Sequence, residues 1–498
     1  MFPDIVSFLK EIVYFITLSN MLLMAFAMTL GIIIGTLPGL SATIGIALLT
    51  GITYSFDPNT AMIMMIGVYI GAIYAGSLSA ILINIPGTGS AAATCLDGHK
   101  MALQGRASDA ILTARTASFI GSFVGVLFFV LLTPLIRNVS LSFTSSEYFW
   151  LSIFGILICG SLSEKEIPVK GWIAGFLGML ISFVGLDEIN NFPRFTLGNH
   201  NLITGVPWVP MMIGTFGIPQ IIKLIGGSRD INIIKTTKSK TKIFSVLKKN
   251  IFGIFRWSVI GTVIGALPGV GENIAAWVAY GDAKSNSKEP EKFGTGVIEG
   301  VMAPEVANNA AIAGALIPLL TLGVPGSPPT AILMGALRLH GLRPGPMLQF
   351  DDPIFIFKMG AWLFWGTIML FILGIVTAKP MSQIMKVPPK ILAPLIAALC
   401  FIGTFTVSLN LFDLKLVIVF GLIGFLLDRY GFNLGPFILG VILGPLTDSN
   451  FRRVMFLNDG NVLSLINRPI SLLFFLTIVV IIAYKPIVKK FKKLRVKT

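Results

Sequence analysis

Apolar residues run along this chain in long blocks. They lie near 20–36, 59–83, 108–136, 147–163, 168–186 and 208–226, and again near 251–267, 297–322, 354–378, 391–409, 413–430, 434–446 and 469–488. An α-helix needs about 20 apolar residues to cross a bilayer. Several blocks are shorter or interrupted by Gly and Pro, and 434–446 reads as a half-span. The pattern predicts an all-α polytopic membrane protein of about 12 transmembrane helices, some of them Gly/Pro-broken or re-entrant. Before the first block, Ile5, Phe8, Leu9, Ile12, Val13 and Ile16 recur at helical spacing. Residues 1–19 are therefore expected to form an amphipathic helix at the membrane surface or against the bundle. They lack the charged start and small-residue cleavage site of a signal peptide.

Composition agrees with this pattern. The 498 residues are 54% apolar and 12% charged, with a mean hydropathy of +0.84. Soluble domains carry about 25% charged residues, so an ordinary soluble enzyme, a disordered chain and a fibrous protein are excluded. The net charge is +15. Much of the excess lies between Arg229 and Lys249 and in the tail from Lys485 to Lys497. Cytoplasmic loops collect such charge, so no nucleic-acid partner is needed to explain it. The positive-inside rule puts 97–107, 164–170, 229–249, 379–390 and the C-terminus inside, and 137–147 and 187–207 outside. Arg452 and Arg453 then fall outside, against the rule. Cys95, Cys159 and Cys400 form no disulfide or metal pattern, and His99, His200 and His340 have no ligand partner at metal spacing.

An internal repeat sets the organisation. GTLPGLSATIG (35–45) matches GALPGVGENIA (265–275), and ILINIPGTGSAAAT (81–94) matches LLTLGVPGSPPTAI (319–332). Pro38 and Pro268 are 230 positions apart, and Pro86 and Pro325 are 239 apart. A Gly-Arg step follows each second turn, at Gly105-Arg106 and Gly341-Leu342-Arg343. The division read from this is a first membrane repeat at 20–228, a basic cytoplasmic loop at 229–249, a second repeat at 250–450, and a last transmembrane helix with basic tail at 451–498. Loop charge puts the two turns on opposite sides, which makes the repeats inverted. Inverted repeats with paired Gly/Pro interruptions point to a secondary transporter with its site between the halves.

The broken segments supply the candidate chemistry. Pro removes an N–H and interrupts the helix ladder, and free N–H groups at helix starts attract anions. Pro38-Gly39, Pro86-Gly87, Pro268-Gly269 and Pro325-Gly326 could cradle carboxylates without an arginine. Ser41, Asn84, Thr88, Ser90, Thr94, Asn273, Ser327 and Thr330 would add neutral hydrogen-bonding groups. Glu305, Asn308 and Asn309 share a helix face. With Glu272, they are the candidates for coupling to a cation, because ionisable groups in such segments are costly and usually functional. The plainer readings are turns, close-packing glycines and water-exposed helix ends. Asp97 reads as a turn cap, and Tyr69 and Tyr74 as a packing stripe. No nucleotide-binding, hydrolase-elbow or metalloprotease motif is present, so transport would draw on an ion gradient or run passively, with no cofactor.

These motifs resemble the large membrane subunit of the tripartite tricarboxylate transporters (TctA-like). The resemblance rests on GTLPGLSATIGIALL, YIGAIYAGSLSAILINIPGTGSAAATCLDGHKMALQGRAS, GALPGVGENIAAWVAYGDAKS and above all FGTGVIEGVMAPEVANNAAIAGALIPLLTLGVPGSPPTAILMGALRLHGLRPGP, and it covers most of 20–450. It implies uptake of citrate or another carboxylate across a bacterial inner membrane, powered by a sodium or proton gradient. It also implies a small membrane subunit and a periplasmic solute-binding protein as partners; a homo-oligomer is a further expectation. The family pattern varies at 272–273 and 327–329, so Glu272 and Pro328-Pro329 would mark a different substrate. The competing classes are a standalone channel or carrier for another small anion and a membrane-embedded enzyme.

Overall fold

The computed structural model describes residues 2–37, 39–163, 167–187, 189–226, 234, 239, 241–385 and 387–495. Its helices in chain order are α1 (Phe2–Tyr14), α2 (Leu18–Thr36), α3 (Ala42–Ile52), α4 (Pro58–Ile83), α5 (Ala92–Met101), α6 (Ala107–Ser140), α7 (Ser145–Ser163), α8 (Pro168–Ser182), α9 (Trp208–Gly226), α10 (Ile243–Lys249) and α11 (Ile251–Gly265). They continue as α12 (Gly271–Ser285), α13 (Glu299–Leu322), α14 (Pro328–Leu339), α15 (Leu348–Asp351), α16 (Phe355–Val376), α17 (Ala378–Ile384), α18 (Pro389–Ser408), α19 (Leu411–Arg429), α20 (Leu434–Leu457) and α21 (Pro469–Arg495). A two-residue antiparallel ladder pairs β1 (Gly185–Leu186) with β2 (Pro193–Arg194). The protein is an all-α multi-pass membrane protein. Among the described residues eight helices are long and apolar enough to cross a bilayer.

The chain forms two compact units. One takes Met1–Arg137 and Trp208–Leu426, and the other takes Asn138–Pro207 and Leu427–Thr498. Each unit therefore draws on both halves of the sequence.

The core of the first unit is α4 and α13, each with 94% of its apolar window buried. Their neighbours come close because the contacts are made by glycine. A Cβ on Gly31 or Gly35 of α2 would fall 2.5 Å from the Val68 oxygen and 2.1 Å from the Ala72 oxygen of α4. A Cβ on Gly261 or Gly265 of α11 would meet the oxygens of Ala307 and Ala311 in α13 at 2.2 and 2.4 Å. These are the same pairs under the 230 and 239 offsets. Glycine at each lets backbones touch, the device by which small residues hold helices together in lipid. α4 and α13 also end alike, on Asn84 (φ 57°) and Gly323 (φ 71°) in the left-handed region. Glycine is the usual residue there and asparagine the usual second choice.

The N-terminal helix packs on this unit. Phe8 lies against Gly360 of α16, the Trp365 indole donates to the Ile12 carbonyl at 3.0 Å, and Phe15 stacks on Trp365. Leu9, Val13 and Ile16 stay exposed, so the bundle covers only part of the apolar stripe.

In the second unit α20 packs on α7 and α8. A Cβ on Gly440 would sit 1.9 Å from the Gly175 oxygen, and one on Gly178 1.9 Å from the Phe437 oxygen. The stretch 434–446 lies within one continuous helix: α20 runs unbroken to Leu457 through Pro445. Arg452, the residue at odds with the loop-charge rule, is paired with both Asp187 and Asp448, and Asp448 also takes Arg194 at 2.9 Å. Most of the basic loop, including Arg229, Lys235, Lys238 and Lys240, lies outside the described residues.

Candidate functional site

Four helix interruptions in the first unit make the site. The first separates α2 from α3. Pro38 lies outside the described residues; Gly39 has φ 91°, and Ser41 caps α3 by accepting from the Ile44 amide at 3.4 Å. A Cβ on Gly39 would meet the Gln220 side-chain amide at 1.9 Å, so α9 closes over this turn.

The second and fourth interruptions share their geometry. The Gly87 amide donates to the Gly76 carbonyl at 3.3 Å, and the Gly326 amide to the Ala315 carbonyl at 3.3 Å. Each turn thus hooks back onto the helix that precedes it. A Cβ on Gly87 would fall 1.9 Å from the Gly35 oxygen, and one on Gly326 2.2 Å from the Gly265 oxygen. The third interruption joins the fourth through the Gly269 amide, which donates to the Pro325 carbonyl at 3.0 Å. Pro268 and Gly269 are buried and Pro86 is half-buried.

The turns differ in what they leave unpaired. At the fourth, the Ser327 amide donates to the Thr330 hydroxyl at 2.8 Å and the Thr330 amide to the Ser327 hydroxyl at 3.4 Å, closing a capping box. Pro328 and Pro329 have no N–H, and the Ala331 amide goes to the Ser327 carbonyl. No amide from Gly326 to Ala331 remains free. At the second turn the amides of Thr88, Gly89 and Ser90 have no acceptor among the described residues. Thr88 and Ser90 pair their hydroxyls at 3.0 Å. The exposed Asn273, at the start of α12, sits over Gly89: a Cβ there would be 2.9–3.0 Å from the Asn273 amide group. Asn84 is exposed at the end of α4. Of these two turns, the second therefore keeps free donors, at Thr88–Ser90, where Asn273 from the second repeat meets Gly89 from the first.

The two acidic candidates are fully enclosed and lie in different surroundings. Glu272 is bound by the Tyr69 hydroxyl, which also meets the Ser327 hydroxyl at 2.9 Å. Glu305 accepts from Thr94 at 2.5 Å and Ser118 at 3.1 Å. One turn on, the Asn309 amide donates to the Asn308 side-chain oxygen at 2.7 Å and to the Glu305 carbonyl at 3.0 Å. The Asn309 side-chain oxygen is buried without a partner. Neither carboxyl is in an ion pair with Lys, Arg or His among the described residues. Hydroxyl groups can give or take a hydrogen bond, and hydroxyls are what meet both carboxyls. No group of three or more His, Cys, Asp or Glu is placed to hold a metal among the described residues.

Three residues take roles other than those expected, or roles the sequence did not suggest. Tyr69 reads as packing but holds Glu272; the signal was a phenol hydroxyl inside an apolar span, which seeks a partner when buried. Gln220 carries a similar signal as a lone amide beside Pro219. Asp97 does cap a turn, but one in the other half of the chain. It accepts from the amides of Gly294 (3.0 Å), Gly296 (2.8 Å) and Val297 (2.9 Å) and from the Tyr280 hydroxyl (2.9 Å).

The sequence model described as the tripartite tricarboxylate transporter TctA family matches residues 21–439. An uncharacterized 52.8 kDa protein in the TAR-I ttuC' 3' region of Agrobacterium vitis is 36% identical over 444 residues, covering 89% of this chain and 88% of that one. An uncharacterized protein in the TAR-II ttuC' 3' region of the same organism is 37% identical over 231 residues, covering 46% of this chain and 96% of its own length. No solved structure matches the chain.

Proposed function

The chain belongs to the tripartite tricarboxylate transporter TctA family, and from that premise we propose that it is the large membrane subunit of a binding-protein-dependent secondary transporter. Its substrate is a carboxylate, citrate or another tri- or dicarboxylate, imported on a sodium or proton gradient. Its partners are a small membrane subunit and a periplasmic solute-binding protein, in a bacterial cytoplasmic membrane with the C-terminus inside. About 12 helices cross the bilayer, and 20–228 and 250–450 are inverted repeats.

The observation that carries this reading is the paired turn. Gly87 against Gly35 and Gly326 against Gly265 are the same close approach made twice, and the Thr88–Ser90 amides beside Asn273 are left unpaired. Backbone N–H groups at a helix start favour an anion, and neutral donors let it leave again. Ser41, Gln220 and Asn273 complete the lining. Glu305 with Asn308 and Asn309, and Glu272 held by Tyr69, are the groups that respond to the coupling cation.

Reconstitution tests the reading. Proteoliposomes holding this chain and the small subunit are given binding protein and labelled citrate or a C4 dicarboxylate in the outer solution, under an inwardly directed sodium or proton gradient. Uptake that needs both the gradient and the binding protein is expected. Gradient-independent flux without the binding protein would favour a channel instead.

A further inference from the structure

Arg115 stands two turns into α6 and meets no carboxylate among the described residues. It makes no hydrogen bond or ion pair there, and its Nε is buried without a partner. Arg452, by contrast, is paired with Asp187 and Asp448. The Arg115 guanidinium lies 5.4 Å from the centre of the Phe371 ring of α16. Its arm passes over Gly374 of the same helix, where a Cβ would fall 3.0 Å from the Arg115 Cδ and 2.9 Å from the Tyr74 hydroxyl. A ring face attracts the charge but has no oxygen, so the N–H groups of the guanidinium are left without an acceptor.

Arg115 is also the inner end of an apolar ridge. Phe119, Phe123, Leu127, Leu131 and Leu135 follow it at intervals of four, the spacing of a ridge that winds along a helix surface. The last four are 37–49% exposed, and apolar side chains exposed on a spanning helix face lipid tails. Phe371, Phe119, Phe123 and Phe364 make a run of rings along the seam between α6 and α16, with 4.9, 6.3 and 6.3 Å between neighbouring centres. On α16, Ile372, Ile375 and Val376 are exposed as well. Twenty residues separate Arg115 from Leu135, a rise of about 30 Å at about 1.5 Å per residue. The hydrocarbon core of a bilayer is about 30 Å thick. Arg115 therefore stands at the level where acyl chains end and headgroup phosphates begin.

We propose that Arg115, backed by Phe371 and Gly374, binds the phosphate of a membrane phospholipid whose acyl chain lies along the α6 ridge. A planar guanidinium matches two phosphate oxygens at once, and the contact with Phe371 holds it in place for them. An anionic headgroup is favoured over a zwitterionic one, whose own ammonium competes for the phosphate. With 97–107 inside, as loop charge reads, the leaflet is the cytoplasmic one. The anion comes from the lipid rather than from the substrate path, because the arginine continues the exposed ridge. The site needs neither the carboxylate nor the coupling cation of the reading above.

Phosphatidylglycerol, phosphatidylcholine and inorganic phosphate, each added to the delipidated full chain in detergent, test the site. Native mass spectrometry reads the lipid retained, and thermal unfolding reads the stabilisation. The wild type is expected to hold one phosphatidylglycerol at least tenfold more tightly than Arg115→Gln does, with a rise in midpoint that the variant lacks. Phosphatidylcholine is expected to bind more weakly, and phosphate to give no rise. Where Arg115→Gln fails to fold, Arg115→Met, an apolar side chain of similar length on a lipid-facing ridge, takes its place. Equal affinity for phosphatidylglycerol in the wild type and a folded variant overturns the site. Two other results overturn the lipid assignment. Equal stabilisation by phosphate alone makes this a site for a free anion. A variant that keeps the lipid but loses the small subunit on co-purification gives the guanidinium to a carboxylate of that partner.

Discussion

The hydroxyl of Tyr69 on α4 is bonded to the carboxylate of Glu272 on α12, 203 residues further along the chain. This contact ties the first repeat to the second beside the turn that carries Asn273. Tyr69→Phe leaves a buried carboxylate short of a donor. The expected cost is about 1–3 kcal/mol, read as a lower thermal midpoint in detergent. Adding Glu272→Gln is expected to recover part of the loss, because a neutral group is cheaper to bury.

Gly87 and Gly326 have no room for a side chain, since a Cβ on either would overlap a backbone oxygen of the neighbouring helix. Replacement by leucine is expected to abolish uptake while membrane insertion persists, and even alanine should lower it severely. Full uptake in both alanine variants would show that the helices part easily at these points.

Asp97 gathers three amides and a phenol. Asp97→Ala leaves those donors unsatisfied and is expected to cost roughly 3 kcal/mol or more, with new protease cleavage between 289 and 298. Asp97→Glu should not restore the wild type. A Cβ on Gly300 would lie 2.1 Å from the Asp97 carboxylate, so glycine already marks the limit of space there.

Glu305 is held by Thr94 and Ser118 rather than by a cation. Glu305→Gln is expected to change the sodium or pH dependence of uptake by an order of magnitude while insertion is kept. An unchanged ion profile would take Glu305 out of the coupling scheme.

Asp187 gives a pH dependence in the second unit. The Ile189 amide above all, with the Asn190 amide and Arg452, holds its carboxyl below the ordinary carboxylate range. A depressed folded-state pKa stabilises above the unfolded value of about 3.9. That contribution is lost as pH falls through the folded value. Limited proteolysis of the 187–194 hairpin should therefore accelerate below about pH 4, and Asp187→Asn should be cleaved faster at neutral pH with less further change on acidification.

Much of the fold was legible in the sequence because its causes are local. Blocks of apolar residues long enough to span lipid form helices wherever they stand, and Pro-Gly interrupts them wherever it falls. The offsets of 230 and 239 therefore showed up as matched motifs before they appeared as matched glycine contacts. The Gly-Pro step at 444–445 does not end its helix, because α20, packed on α7 and α8, carries Pro445 through.

Partner choice was decided only by the tertiary structure. Tyr69 and Tyr74 read alike in the chain, five residues apart on one helix, yet the first holds a carboxylate from the other repeat and the second packs against Gly374. The fourth turn looked like a source of free amides until Ser327 and Thr330 were seen to cap each other. Residues 138–207 join 427–498 rather than the segments beside them in sequence. A residue's own helix is set by its neighbours along the chain, whereas which buried donor meets which acceptor depends on helix faces hundreds of positions apart, and no local pattern records how those faces meet.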